Sequence, residues 1–536
     1  MLGLTLRSEF TNKQFSGTII DFTNRRNTGA LDIKAHDFLT ITYPSIDLLK
    51  TIEAVQPEMA RPVVIIGSRG QGKSHLMAAL AHMFKDTQAG VDWLTHWTGH
   101  NSAISNLKLR TDMHVIAESL HLHNYKFLWD LLFERHPHGV YARGVWEGQG
   151  EQNKTEVPGH AIIVNMLGKQ PTVLILDEFQ TWYEGLTNTK QYPWRSWAFN
   201  FIQILSEIAQ QHPELLVLVV SVRDGASDAA QQVYRTNPVR IDFKSPQTNK
   251  DRRRLLLYRL FQNRLQIPRG EIEKLIACHV DEYLRLKQIP PSDHDRHRDE
   301  FIESWPFSPV LLKLLDDQVL IAVEAQETRD LLRILVDVYA TAQGQSPVIT
   351  PADFSISNDN TGVGALLDSV SSQIHRDLRE KARRNLEAVQ EALMGTAQAG
   401  AVPHLVPILS ALWLRSLSVE NLMGAEPDEL HADITRQTPI EDNQFVVELD
   451  LIKQNSFNIH LRSNRLVFLN EENPEAKLIA NAQNDRLFQA GEDINHLAQE
   501  IRYVLTGAEA NSSSYRVIVL RRNWEHIPWS EVDEKD

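Results

Sequence analysis

The sequence predicts an α/β fold built on a parallel β-sheet, and two kinds of pattern carry this prediction. Short β-branched runs such as "PVVII" at residues 62–66 are typical of strands that are buried on both faces. Apolar residues at helical spacing follow these runs, and such alternation is typical of a doubly wound sheet. We expect an α/β domain over residues 40–246, preceded by an N-terminal extension of residues 1–39.

A glycine-rich motif occupies the turn after the first predicted strand. It reads Gly67-Ser68-Arg69-Gly70-Gln71-Gly72-Lys73-Ser74 and fits the phosphate-loop (P-loop) pattern G-x-x-x-x-G-K-[ST]. Glycines let backbone N–H groups surround phosphate oxygens, and the helix that follows directs its positive end toward the same anion. Lys73 is expected to neutralise the β- and γ-phosphates, and Ser74 to bind Mg²⁺. Together with the adjoining His75, the motif predicts a site for ATP and Mg²⁺.

A second buried-strand run, "TVLILD", ends in Asp177 and is followed by Glu178. Parallel strands deliver their carboxyl ends to the ligand crevice, so these two acids are expected beside the phosphates. Asp177 is predicted to hold Mg²⁺ through water, and Glu178 to polarise the attacking water. A third run, "LLVLVVSV", contains Ser221, our candidate for a γ-phosphate-sensing residue on the strand between the other two.

Further elements complete the predicted α/β domain. Strands are expected in "MHVIAESLHL" from residue 113 and in "PVRIDF" from residue 238, and a helix in "YKFLWDLLFERH" from residue 125. The glycine-rich, polar stretch "PHGVYARGVWEGQGEQNKTEVPG" from residue 137 predicts a mobile loop.

From about residue 247 the strand pattern stops and amphipathic helices follow. A helical bundle directly after a P-loop sheet resembles the lid of AAA+ ATPases, here residues 247–345. Within it, "ETRDLLRIL" resembles the sensor-2 helix of initiator-type members, which implies that Arg329 reaches the γ-phosphate. The same resemblance implies an arginine donated to a neighbouring subunit. Arg235 and Arg240 are the candidates, with Arg223 as a rival.

A closer resemblance rests on the order of several segments. "HDFLTITYPSIDLLKTIEAV", the P-loop, "LILDEF", "WPFSPVLLKLL" and "QETRDLLRILV" follow one another as in large AAA+/STAND-like ATPases of prokaryotic phage-defence islands, similar to the BrxC/PglY ATPases of BREX systems. The match covers roughly residues 36–339. It implies a homo-oligomer that acts with a DNA-modifying or nuclease partner protein. Members are generally longer, so the C-terminal region is expected either to continue beyond this chain or to mark a short member.

The C-terminal region, residues 346–536, is predicted to be mostly helical and winged-helix-like. A helix is expected before the hairpin "FNIHLRSNRLVFL", which should turn near Ser463 and Asn464. Winged helices bind DNA or protein, and the fold does not decide between them. A basic helix from His375 is consistent with phosphate contacts but also with a solvated face of paired charges.

Composition limits the range of functions. The chain has 536 residues, a formal charge of −14 and one cysteine, which predicts a cytoplasmic protein without an internal disulfide and without broad attraction to nucleic acid. No apolar run reaches the length of a membrane span. We expect a hydrolysing Mg²⁺-dependent ATPase in an anti-phage defence or DNA-modification assembly. The alternatives are a nucleotide-gated scaffold with slow hydrolysis and a DNA-binding loader.

Overall fold

The computed structural model describes most of the chain. The described residues are 2–11, 22, 29–57, 59, 61–67, 72–100, 102–122, 125–150, 155–234, 237–243, 246–319, 327–344, 346–370, 373–418, 422–483 and 492–506. Ser68, Arg69, Gly70, Gln71 and Arg235, all predicted site residues, lie outside these ranges. Among the described residues, no helix combines the length and the apolar character needed to cross a lipid bilayer.

A five-stranded parallel sheet forms the centre of the N-terminal half. Its strands are β1 (Val63–Ile66), β2 (His114–Ser119), β3 (Thr172–Asp177), β4 (Leu216–Val222) and β5 (Val239–Asp242). They lie in the order β2-β3-β4-β1-β5, and every pairing is parallel. The predicted α/β fold and its parallel sheet are thus confirmed. β4 lies between β1 and β3, as predicted for the strand that carries Ser221.

Helices cover both faces of this sheet. They are α2 (Ala35–Thr40), α3 (Ile46–Ala54), α4 (Lys73–Lys85), α5 (Thr87–Thr98), α6 (Leu128–Arg135), α7 (Gly139–Glu147), α8 (His160–Lys169), α9 (Phe179–Gly185), α10 (Trp194–Gln211) and α11 (Asp228–Tyr234). The short α1 (Ser8–Thr11) lies elsewhere, because its Phe10 belongs to the core of the helices that follow the sheet. Successive strand side chains point to opposite faces. Val63 and Ile65 therefore join a core with α2 to α5, whereas Val64 and Ile66 join one with α6 to α11. Burial on both faces explains the long apolar runs of the three central strands, β1, β3 and β4.

The prediction of a mobile loop from residue 137 was wrong over its first part, because α7 forms there. Ala142 of α7 is buried, and Trp146 packs edge-to-face on Trp129 with ring centroids 5.9 Å apart. Gly139 begins the helix close to α6: a Cβ at this position would lie 2.2 Å from the carbonyl oxygen of Phe133. The glycine therefore permits close helix packing here and does not mark a loop.

The remaining helices form the second half of the molecule. They are α12 (Pro246–Leu260), α13 (Arg269–Leu286), α14 (His294–Ser304), α15 (Pro309–Lys313), α16 (Glu327–Ala342), α17 (Val363–Val370), α18 (Gln373–Leu393), α19 (Leu405–Ser416), α20 (Pro427–Ile434), α21 (Asp442–Gln454), α22 (Pro474–Gln483) and α23 (Glu492–Thr506). Buried side chains from α12 through α21 belong to a single hydrophobic core, which also takes in Leu4 and Phe10.

A two-stranded antiparallel hairpin follows α21, as predicted. Its strands are β6 (Ile459–Arg462) and β7 (Arg465–Phe468). The two linking residues, Ser463 and Asn464, both have positive φ angles, 46° and 66°. A tight turn with two left-handed residues matches the twist of the flanking strands. The helices and hairpin are therefore present in the predicted order.

Candidate functional site

Polar residues collect at one edge of the parallel sheet, where the strands end. Ser119 at the end of β2 lies opposite Asp177 at the end of β3 in the strand register. Ser221, near the end of β4, lies opposite Ile65 of β1, just before Gly67. Because all five strands run the same way, their carboxyl ends bring these residues to a common edge.

The turn between β1 and α4 is described at both of its ends. At the first end, the N–H of Gly67 donates to the carbonyl of Val222, 3.1 Å away, so the turn starts against β4. At the second end, Gly72 has φ +97°, a left-handed conformation that favours glycine. Lys73 begins α4 and is only 6% exposed, and its Nζ donates to the carbonyl of Gly67 at 2.7 Å. The lysine ammonium thus lies across the turn.

The carboxylate of Asp177 connects three elements. Ser74 of α4 donates to its Oδ2 at 2.6 Å, and Ser221 of β4 donates to its Oδ1 at 2.5 Å. The backbone N–H of Glu178 also donates to Oδ1, at 2.9 Å. Asp177 and Ser221 are 2% and 1% exposed. Both carboxylate oxygens of a buried acid are therefore satisfied by the residues predicted to share its site.

Glu178 has an unusual backbone conformation. Its φ and ψ angles are 55° and 31°, a left-handed geometry that costs free energy in a residue other than glycine. Its N–H also donates to Ser221 Oγ at 3.0 Å. The side chain is held as well, because the hydroxyl of Thr181 donates to Oε2 at 2.7 Å. Contacts with Asp177, Ser221 and Thr181 thus hold both the backbone and the side chain of Glu178 in place.

A second set of hydrogen bonds, centred on one glutamine, attaches α9 to the end of β4. Gln180, 7% exposed, accepts the backbone N–H groups of Arg223 and Asp224 through Oε1, each at 2.9 Å. Its Nε2 donates to Glu184 at 2.8 Å, and Glu184 lies 3.6 Å from the guanidinium of Arg223. Arg223, the rival candidate for an arginine donated to a neighbour, therefore pairs with a carboxylate of its own chain.

His75 packs against the N-terminal segment. Its ring stacks on Phe38 with centroids 4.7 Å apart, and its Nε2 lies 3.1 Å from Thr42 Oγ1. Burial, reinforced by the positive charges of Arg259 and His82, lowers the pKa of His75 to about 3. The imidazole is neutral near pH 7. His75 thus connects the start of α4 to α2.

The structure brings together most of the predicted residues that it describes. The contacts above join these residues at the sheet edge: Gly67, Lys73, Ser74, Asp177, Glu178 and Ser221. Gly72 directly precedes Lys73 in the chain. Arg240 is exposed on the edge strand β5, beside β1. Arg329 belongs to α16, where its side chain is outside the described part of the molecule.

Sequence reasoning missed Gln180 and Thr181. Both lie in the first turn of α9, two and three residues after Glu178, and both contact groups of the site. Their proximity to the acidic pair in "DEFQTW" was the available signal. Because α9 starts from a left-handed residue, however, the spacing of residues in the sequence does not predict which way the side chains of its first turn face.

Searches against models of protein families and against curated proteins gave no match. A buried ammonium, a hydroxyl next to a carboxylate, and a held glutamate can together bind an anion with a divalent cation and accept a proton.

Proposed function

We propose that the chain is a Mg²⁺-dependent P-loop ATPase. The observation that carries this proposal is the set of hydrogen bonds on Asp177, which joins Ser74, Ser221 and the backbone of Glu178. These contacts link the glycine-rich turn, the candidate metal-binding acid and the candidate general base in one polar network. P-loop enzymes need these groups together.

The residues at this edge suit ATP with Mg²⁺. The Lys73 ammonium lies against Gly67 at the start of the turn, where it can balance phosphate charge. Ser74 and Asp177 offer hydroxyl and carboxylate oxygens 2.6 Å apart, the kind of ligand that Mg²⁺ prefers. When bound, Mg²⁺ would supply positive charge beside the phosphate oxygens.

The chain's own residues then have distinct roles. Glu178 accepts the proton of the attacking water, whose oxygen joins the γ-phosphorus as the bond to the bridging oxygen breaks. Lys73 stabilises the negative charge that moves onto the β- and γ-phosphate oxygens. Ser221 holds both the Asp177 carboxylate and the Glu178 N–H, so it keeps the two acids in register.

The resemblance noted in the sequence supports a wider proposal. In it, helices α12 to α16 act as an AAA+-type lid, with Arg329 at the γ-phosphate. Arg235 or Arg240 reaches the nucleotide of a neighbouring copy in a homo-oligomer. Helices α20 and α21 with the hairpin act as a winged-helix-like unit. The protein works in the cytoplasm with a DNA-modifying or nuclease partner in anti-phage defence.

The exposed face of α21 favours a protein contact over DNA for this unit. Val446 and Val447 are 54% and 55% exposed, and Asp450 is exposed beside them. Apolar and acidic groups do not match the phosphate backbone, which attracts lysine and arginine. The DNA-binding loader is therefore the weaker alternative.

ATP affinity and steady-state turnover of Lys73→Ala test the proposed function. We expect this variant to lose both, because the buried ammonium lies within the glycine-rich turn. Lys50→Ala is the matched control, since Lys50 is exposed on α3. Wild-type ATP binding without turnover would support the nucleotide-gated scaffold instead. Equal ATP affinity in wild type and Lys73→Ala would contradict the proposal.

A further inference from the structure

Among the described contacts, the side chain of Glu178 makes one hydrogen bond, and its partner is Thr181. The backbone of Glu178 is fixed by its left-handed conformation and by hydrogen bonds to Asp177 and Ser221. These contacts do not determine where the carboxylate points, because rotations about the side-chain bonds remain. The Thr181 hydroxyl determines this through its 2.7 Å hydrogen bond to Oε2.

Thr181 is itself held between two anchored neighbours. Gln180 accepts the backbone N–H groups of Arg223 and Asp224 after β4. On the other side, Trp182 is 7% exposed and its indole N–H donates to the carbonyl of Tyr125 at 2.7 Å. The hydroxyl that contacts Glu178 therefore extends from a helical turn that is fixed to two other parts of the α/β half.

We propose that Thr181 is a positioning residue for Glu178. Its hydroxyl occupies Oε2 and so leaves Oε1 as the oxygen that accepts the proton of the attacking water. A base held in one orientation loses less entropy on reaching the transition state, which raises the rate of hydrolysis without tightening substrate binding. This inference rests on the proposed ATPase function, and it concerns the hydrolytic step alone.

A purely structural role predicts a different result. A threonine hydroxyl that only stabilises the first turn of α9 would affect the free energy of unfolding and leave the rate constant of hydrolysis unchanged. The two roles are separated by comparing Thr181→Val, which keeps the shape of the side chain but removes the hydroxyl, with Thr181→Ser, which keeps the hydroxyl.

The experiment measures kcat and KM for ATP, ATP affinity and thermal stability in both variants. We expect Thr181→Val to lower kcat about tenfold while KM and ATP affinity stay within about twofold. Thr181→Ser should recover most of the wild-type kcat. The matched control is Thr187→Val, which changes an exposed threonine after α9 and should leave all four quantities unchanged.

Three results would overturn the inference. In the first, Thr181→Val keeps the wild-type kcat, so that the contact has no role in hydrolysis. In the second, Thr181→Ser loses as much kcat as Thr181→Val, so that the hydroxyl is not responsible. In the third, Thr181→Val is faster than wild type, so that the contact restrains the base. Each of these three results presupposes that the wild type hydrolyses ATP and that this turnover depends on Lys73. An inactive wild type would instead contradict the proposed function itself.

Discussion

Single residues at the sheet edge were largely predictable because strand ends constrain them. Asp177 ends a buried run, and Ser221 lies next to the end of the run on the adjacent strand. Parallel pairing therefore brings them together once the strand order is correct. Glu178 follows from Asp177 by one peptide bond. The contact of Thr181 was not predictable in this way, because it depends on the left-handed backbone of Glu178. A glycine at this position would have indicated such a backbone, but the residue is a glutamate.

At the same scale, His75 predicts a pH dependence of stability. The native pKa of about 3 lies below the ordinary value of 6.5, so the unfolded chain binds more protons between these values. The contribution of His75 to the free energy of unfolding is therefore fully present above about pH 7 and is lost as the pH drops toward 3. We expect the free energy of unfolding, measured by urea denaturation, to fall between pH 7 and pH 5 by up to about 2 kcal/mol more in wild type than in His75→Gln.

The control for this prediction is His36→Gln. His36 is exposed on α2, close to the segment that contacts His75. This variant should lose as much stability between pH 7 and pH 5 as wild type does. An equal loss in wild type and His75→Gln would show that His75 does not cause the acid sensitivity.

At the scale of elements, strands and long helices were predictable and one glycine-rich helix was not. The central strands β1, β3 and β4 carry a continuous apolar signal because both of their faces are buried. In α7, two glycines and several polar residues masked a helix that is stabilised by packing of Ala142 and Trp146. Tertiary contacts overrode local propensity there, and local sequence cannot reveal such contacts.

The connection between α9 and β4 predicts the effect of changing Gln180. Gln180→Met removes the acceptor for the N–H groups of Arg223 and Asp224 while it keeps a similar side-chain length. Leaving such groups unpaired should lower the free energy of unfolding by about 1–3 kcal/mol, measured by urea denaturation. Gln203→Met is the control, because Gln203 bonds only to Glu207 within α10 in the described contacts. Equal stabilities of these two variants would refute the proposed connection.

At the scale of the whole molecule, one hydrophobic core joins the helices of residues 247–345 to the C-terminal region. Buried residues of α13, α16, α19 and α21 all belong to it, although the sequence predicted residues 247–345 and 346–536 as separate regions. The sequence shows which face of each helix is apolar but not which helices share a core. A buried polar contact reinforces the connection, since His279 of α13 lies 2.9 Å from the carbonyl of Thr435.

The shared core predicts that this half of the molecule responds as one unit. Asp433 of α20 is 4% exposed and forms two hydrogen bonds with the buried Arg415, at 2.6 and 3.0 Å. Asp433→Ala removes both bonds and leaves Glu429, 3.6 Å away, as the carboxylate beside the buried Arg415. The loss should lie toward the lower end of the about 3–5 kcal/mol that breaking a buried ion pair costs. Hydrogen exchange should then quicken in α13 and α16 as well as in α20, while β3 and β4 keep their protection.

Asp450→Ala serves as the control for this prediction, because Asp450 is exposed and pairs only with the exposed Lys453 in the described contacts. It should leave exchange unchanged throughout. Faster exchange confined to α20 in Asp433→Ala would show that the helices on either side of residue 345 are independent units.

The proposed role of Glu178, as the base of an ATP-hydrolysing site, can be separated from ATP binding by Glu178→Gln. ATP turnover and particle size are measured together, with ATP and with ADP, and with Glu53→Gln as a control on the exposed face of α3. We expect Glu178→Gln to bind ATP with wild-type affinity, to lose turnover and to accumulate as an ATP-bound oligomer. Wild-type turnover in Glu178→Gln would show that Glu178 is not the base.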